Sequence, residues 1–189
     1  MKKQLTRCTW PGADEKMLAY HDHEWGVPVH DDVKHFEFLI LDAFQAGLSW
    51  KTILHRRAGF EKAFAGFNVN KVARFTEKHV EKLMQDEGII RNRLKITGTI
   101  KNAKAFIAIQ KEFGSFDAYI WQFTGNTTLQ GKRKKNQDIP ATSPESDAMS
   151  KDLKKRGFTF VGSTICYAYM QAAGLVNDHL VDCFRHKAC

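Results

Sequence analysis

Apolar positions crowd most densely in Phe36-Glu37-Phe38-Leu39-Ile40-Leu41-Asp42-Ala43-Phe44-Gln45-Ala46-Gly47-Leu48-Ser49-Trp50. Phenylalanine and leucine occupy most faces of the helix this spacing predicts, which makes it a core helix. Asp42 and Gln45 are three apart and share a face of that helix. A carboxylate among apolar neighbours must be hydrogen-bonded, ion-paired or facing a cavity. Gly47 is expected to end the helix in a left-handed cap, and Ser49 to cap a second helix running from Trp50 toward His55. That corner would present Leu48 and Trp50 beside Asp42.

Downstream, Phe60 to Phe67 precedes an asparagine turn, and Val69, Val72, Ala73 and Phe75 suggest a brief helix from Asn68. Thr76 caps a predicted helix over Glu77 to Gln85, with Val80, Leu83 and Met84 on its apolar face. A tight connection, Asp86-Glu87-Gly88-Ile89-Ile90-Arg91-Asn92-Arg93, leads into a long helix from about Leu94 to Phe113. Helix, glycine-containing hairpin and helix with basic residues beside the turn, Arg91 among them, form a workable phosphate clamp. An ordinary helical hairpin is the competing reading. Ser143-Pro144 starts another capped helix, closing at Lys154-Lys155-Arg156-Gly157. Phe158 to Val176 carries no charge, but Thr159, Gly162, Ser163, Thr164, Gln171 and Gly174 make it too polar for a membrane span. It reads as a loop followed by a buried helix. Residues 1–35 lack helical periodicity, residues 124–143 read as irregular, and no region is strand-rich, so the expected class is all-α.

The chain has 189 residues, enough for one domain or two small lobes sharing a core. Lysine and arginine exceed aspartate and glutamate by 29 − 21 = 8, which favours a polyanionic partner, nucleic acid before membrane. Gly131-Lys132-Arg133-Lys134-Lys135 is the densest basic run, ordinarily a solvated loop. No apolar signal core follows the first residues, so the expected compartment is the cytoplasm, where Cys8, Cys166, Cys183 and Cys189 serve as metal ligands or core thiols.

His179 and Cys183 are i and i+4, facing one way if they lie on a helical turn, and Cys8 with His21 offers a matching pair near the other end of the chain. Two thiolates and two imidazoles make a closed tetrahedral zinc site, the structural type with no open position for water. A surface histidine and a core cysteine are the plain alternative. His35-Phe36-Glu37 fits half of a zinc deaminase signature, but the Pro-Cys-x-x-Cys half is missing. The chain also lacks a His-Glu-x-x-His motif and a phosphate-binding glycine loop. Those reaction classes are set aside.

Tyr20-His21-Asp22-His23-Glu24-Trp25-Gly26-Val27-Pro28, Gln45-Ala46-Gly47-Leu48-Ser49-Trp50 and Gly157-Phe158 through Cys183 together resemble the bacterial DNA-3-methyladenine glycosylase I family. The similarity runs in the same order over nearly the whole chain. It implies a helix-hairpin-helix DNA glycosylase fold for one domain over residues 1–189, with the hairpin element at about 77–113. It further implies action on double-stranded DNA that contains alkylated adenine; nothing in the sequence demands a partner protein, so a monomer is expected. The family pattern makes Cys8, His21, His179 and Cys183 ligands of one structural zinc. It puts Tyr20 and Trp50 on the faces of an extruded base, with Trp10 and Trp25 shaping the pocket and Asp42 accepting from the base's polar edge. Leu48 on the Gly47 corner would wedge into the duplex, and the hairpin around Gly88 and Arg91 would hold phosphates. Two positions depart from the pattern: Asp42 stands where the family usually has glutamate, and Met17 where a tyrosine is common. No lysine is placed as a Schiff-base nucleophile, so a monofunctional enzyme is expected. A zinc-stabilised sensor of alkylated DNA that releases no base is the competing function. A nucleotide-acting zinc hydrolase is a third, opposed by four protein ligands.

Overall fold

The computed structural model describes residues 5–189; residues 1–4, which carry part of the expectation about a signal core, lie outside the described residues. The chain forms ten α-helices among the described residues: α1 (Glu15–His23), α2 (Asp32–Gln45), α3 (Trp50–His55), α4 (Arg57–Ala63), α5 (Val69–Val72), α6 (Glu77–Met84), α7 (Arg93–Phe113), α8 (Phe116–Ile120), α9 (Pro144–Lys155) and α10 (Ser163–Ala172). A two-residue parallel pair, β1 (Leu129–Gln130) with β2 (Val176–Asn177), ties the irregular segment to the chain beyond α10. None of these helices is long and apolar enough to cross a membrane.

α2 lies at the centre, packed against α3, α4, α7, α8 and α10. Its Phe36 meets Phe106 of α7 edge-to-face, and Phe106 stacks on Phe116 of α8 at 4.0 Å between centroids. Two turns further along, Phe44 packs against Phe60 and Phe64, all three fully buried. Aromatic pairs of this kind add roughly 0.5–1.5 kcal/mol each to their area burial. The result fixes the orientation of α2, and hence of Asp42.

Five details differ from the sequence reading. Residues 15–23 are helical: Asp14 caps α1 by accepting from Met17 N at 3.1 Å, and Met17, Tyr20 and His21 point inward at i, i+3 and i+4. A buried stripe containing tyrosine and histidine does not register as apolar periodicity. Gly47 is the third residue of a type II turn, with Ala46 at φ −49°, ψ 116°, Gly47 at φ +79° and Leu48 N donating to Gln45 O at 2.6 Å. The uncharged stretch after Phe158 yields a helix of only ten residues, and Val176 lies in β2. His179 and Cys183 are therefore on irregular turns beyond β2, where Cys183 N donates to Leu180 O. Residues 116–120 form the short helix α8, started by Ser115.

The α6–α7 hairpin is present where expected. Asn92 caps α7 by accepting from Lys95 N at 3.1 Å. Inside the hairpin, Gly88 N donates to Asp86 Oδ1 at 2.7 Å, and a Cβ built on Gly59 of α4 would fall 2.2 Å from Gly88 O. Glycine at 59 lets the hairpin backbone lie directly on α4.

Candidate active site

α1, α2, α3 and the loop before α9 enclose a cavity of about 390 Å³, a size suited to a small ring system. Trp10, Tyr20, Trp25 and Trp50 line it, together with Asp42 and Gln45 of α2. Ile139 and Asn136 close it from the loop, and Ala168 and Gln171 from α10. The sequence reading thus has its four aromatic candidates and Asp42 brought to one cavity. Gly47 and Leu48 sit at the end of α2 next to it, Leu48 with 43% of its surface exposed.

Tyr20 and Trp50 touch each other, at 5.0 Å between centroids with 47° between their planes, so a third ring can lie against the faces they turn to the cavity but not between them. Trp10 meets Trp25 edge-to-face at 5.0 Å. Asp42 is 2% exposed, and burial alone pushes its carboxyl well above the usual carboxylate range. Its Oδ2 has no hydrogen-bond partner, nor do Trp10 Nε1, Trp50 Nε1 and Asn136 Oδ1. Buried polar atoms are nearly always paired in folded proteins. Two donors and two acceptors left unpaired in one cavity mark it as a site for a polar ring.

Cys8, His21, His179 and Cys183 come together beside this cavity, their ligand atoms within 4.8 Å of one another and all four residues buried. Cys8 Sγ lies 3.7 Å from His179 Nδ1, and Cys183 Sγ lies 3.6 Å from the same nitrogen and 3.5 Å from His21 Nε2. A tetrahedral ion with zinc-like bond lengths would space sulfur and nitrogen ligands by about 3.6 Å. The group fits such an ion. His21 Nδ1 donates to Asp22 Oδ1 at 2.8 Å and His179 Nε2 to Trp25 O at 2.9 Å, which leaves the other ring nitrogen of each as a ligand. Arg7 grips Asp22 through Nε and Nη2, and Leu180 N and Arg185 N donate to the two sulfurs. Burial holds His179 down to about 4, so it is neutral and ready to ligate. Burial pushes the Cys8 thiol up to about 12, a proton that a metal ion must displace. Trp25 bridges the two places, its ring packed edge-to-face on His179 at 4.6 Å and lining the cavity on its other side.

His35, half of the deaminase-like pattern, lies elsewhere: its Nε2 donates to Asp117 Oδ1 at 3.0 Å and its Nδ1 accepts from Tyr169 Oη at 2.7 Å. It is a satisfied core histidine. On the hairpin, the amide of Gly88 is taken by Asp86, while those of Ile90, Arg91, Arg93 and Leu94 donate to no acceptor among the described residues. Arg91 is half exposed, its guanidinium 3.9 Å from Glu87.

Two residues here escaped sequence reasoning. Lys95 is 8% exposed and donates from Nζ to Phe44 O at 2.8 Å and Ala46 O at 2.6 Å, placing its charge on the carbonyl end of α2. With Thr99 and Asn102 it forms a buried polar row at i, i+4 and i+7, a spacing readable in the sequence. Asn136 sits in the stretch 124–143 read as irregular, just past the basic run, and no local pattern would have singled it out.

The chain matches the family model described as methyladenine glycosylase over residues 10–186. It is 46% identical to DNA-3-methyladenine glycosylase 1 of Escherichia coli, covering 95% of this chain and 96% of that one. It is 43% identical to DNA-3-methyladenine glycosylase of Haemophilus influenzae, covering 94% and 96%. A crystal structure of 3-methyladenine DNA glycosylase I superimposes with a TM-score of 0.92 at 46% identity, over 95% of this chain and 98% of that one. The Staphylococcus aureus enzyme, solved to explain its recognition of 3-methyladenine, does so with the same score at 32% identity, over 96% and 97%. Agreement of sequence and fold over nearly the whole chain settles the kinship: this chain belongs to the methyladenine glycosylase family.

Proposed function

We propose that the protein excises N3-methyladenine from alkylated double-stranded DNA by hydrolysing the N-glycosyl bond, leaving an abasic site without cutting the strand. The observation that carries this reading is the unpartnered Asp42 carboxyl in a cavity walled by Tyr20 and Trp50.

Methylation at N3 puts a positive charge on the base and weakens its bond to the sugar, so the leaving group needs no proton from the enzyme. The site must extrude the nucleotide, surround the cationic ring with aromatic faces and offer acceptors to its amine. Tyr20 and Trp50 supply the faces, and Trp10 and Trp25 the remaining wall. Asp42 keeps its proton in the free protein; a cation beside it favours the carboxylate, so the pocket gains charge complementarity only with an alkylated base. An unmodified, neutral adenine leaves a buried acid facing it with no such gain.

Leu48, held outward by the Gly47 turn, fills the gap left in the stacked duplex. The free amides of the hairpin from Ile90 to Leu94, with Arg91, hold backbone phosphates, and Gly88 shapes that hairpin by its contact with Gly59. Zinc is the ion we assign to Cys8, His21, His179 and Cys183, as one structural ion whose chemistry is to cross-link the two ends of the chain. Residues 1–189 then act as one glycosylase domain, a cytoplasmic monomer on DNA.

The test is release of free bases from methylated duplex DNA, separated and identified. Release of 3-methyladenine with abasic strands intact is expected. A folded, metal-loaded sample that releases no base would leave only a sensor of alkylated DNA.

A further inference from the structure

We infer that Asn136 is a second base-reading residue: its Oδ1 accepts an N–H of the flipped base that Asp42 does not take. This rests on the glycosylase reading of the cavity. Asn136 lies outside the three motifs that carry the family resemblance, in the basic segment between β1 and α9.

Three observations support it. Asn136 lines the same cavity as Asp42, and its Oδ1 is a buried acceptor without a partner. The other end of the amide is spoken for, since Nδ2 donates to Thr9 Oγ1 at 2.7 Å, which aims the oxygen inward. The segment bearing it is held in place from several sides. Gly131 N donates to Asn177 O at 2.9 Å, and Val181 N donates to Arg133 O at 2.8 Å. Arg133 Nε in turn donates to the buried Asp178 at 2.9 Å. Lys134 N and Lys135 N both donate to Asp138 Oδ2, closing a tight turn around Asn136. An amide oxygen fixed this way costs little further ordering on binding, which is what recognition by a single hydrogen bond requires. Lys132 and Lys134 on the same segment are exposed and form no ion pair among the described residues. The segment therefore offers cations outward and an acceptor inward.

An exocyclic amine has two N–H groups. Asp42 Oδ2 and Asn136 Oδ1, two unpartnered acceptors lining one cavity, match the pair. The inference predicts a discrimination: bases that carry the 6-amino group gain from Asn136, and bases that lack it do not.

The experiment is equilibrium binding of free 3-methyladenine and of 3-methylpurine, which lacks the amine, to wild type and three variants. Asn136→Leu should weaken 3-methyladenine binding about five- to tenfold, the worth of one good hydrogen bond, and change 3-methylpurine binding by less than about twofold. Asn136→Asp keeps an acceptor and should bind 3-methyladenine within about threefold of wild type. Thr9→Val removes only the anchor, so a purely structural role for Asn136 would make it reproduce the loss for both bases. Equal loss for the two bases in Asn136→Leu, or no loss for either, overturns the inference. Wild type that neither binds 3-methyladenine nor releases it from DNA overturns the glycosylase reading instead.

Discussion

Replacing Asp42 by asparagine should make the protein more stable at neutral pH while weakening its grip on 3-methyladenine. The side chain is fully enclosed, burial is the sole cause of its raised pKa, and no cation or donor faces Oδ2. In the unfolded chain the carboxyl ionises near its ordinary value of 3.8; in the folded protein it holds its proton far above that. Folding therefore takes up a proton at any pH between the two values. A folded pKa above the unfolded one gives stability that is complete below the unfolded value and falls as pH rises, by at most about 1.4 kcal/mol per pH unit. From pH 4.5 to 7.5 the ceiling is about 4 kcal/mol, and structural relaxation with water entry reduces the expected loss to about 1–3 kcal/mol. Asparagine has no proton to take up. For a chain of this size 1 kcal/mol moves Tm by about 2–4 °C, so Asp42→Asn should melt roughly 3–10 °C above wild type at pH 7.5. The gap should narrow toward pH 4.5, which lies close to the unfolded carboxyl's ordinary value of 3.8, so that little of the proton-linked loss remains there. Calorimetric melts of the two proteins across that range provide the assay, and titration of the Cys/His group is common to both and cancels in the difference. Equal melting at pH 7.5, or a gap that persists unchanged at pH 4.5, would refute the claim that an uncompensated buried acid sits in this cavity.

Removing the metal with a chelator should cost fold and base binding together, because Trp25 of the cavity wall rests on His179 and accepts from its Nε2. Intact near-ultraviolet dichroism and unchanged 3-methyladenine binding in the stripped protein would contradict that. Lys95→Met should destabilise by about 1–3 kcal/mol, the cost of leaving Phe44 O and Ala46 O unpaired. Because those carbonyls lead into the Gly47 turn, the same variant should lose more activity on DNA than affinity for the free base; equal losses would mean that Lys95 is a stability residue only.

How much of this was legible beforehand depends on how local the cause was. The α2 helix, its corner at Gly47 and the α6–α7 hairpin are set by apolar spacing and caps within a few residues, and the sequence reading located each. α1 escaped because Tyr20 and His21 serve as its inward face, and residues chosen for a cavity and a metal group do not write an aliphatic stripe. The β1–β2 pair escaped because two-residue strands have no period; they exist through pairing of Leu129 with Val176, 47 residues apart. Asn136 escaped for the same reason one step removed. Its position over the cavity is fixed by bonds to Asn177, Asp178 and Val181, while its neighbours in sequence advertise only a solvated basic loop.

The arrangement also accounts for selectivity without any single strong contact. A cavity with unpaired Trp10 Nε1, Trp50 Nε1, Asp42 Oδ2 and Asn136 Oδ1 disfavours the empty, folded state, since each such group loses its water without a protein partner. The structure tolerates this because the walls are held independently: α1 and Trp25 by the Cys/His group with Arg7 and Asp22, α2 by Lys95, the Asn136 segment by Asp178 and β2. A ligand that supplies the missing partners recovers what folding left unsatisfied, and one that lacks them leaves the same atoms buried and unpaired. Sites built to hydrogen-bond a ligand reject its unsubstituted analogue far more strongly than an apolar slot rejects a misfit. Rejection of bases that lack the amine then comes from the rigidity of the surroundings: loosening Lys95 or the Asn136 segment would let the polar atoms find protein or water partners, and this discrimination would fall before affinity for the aromatic ring does.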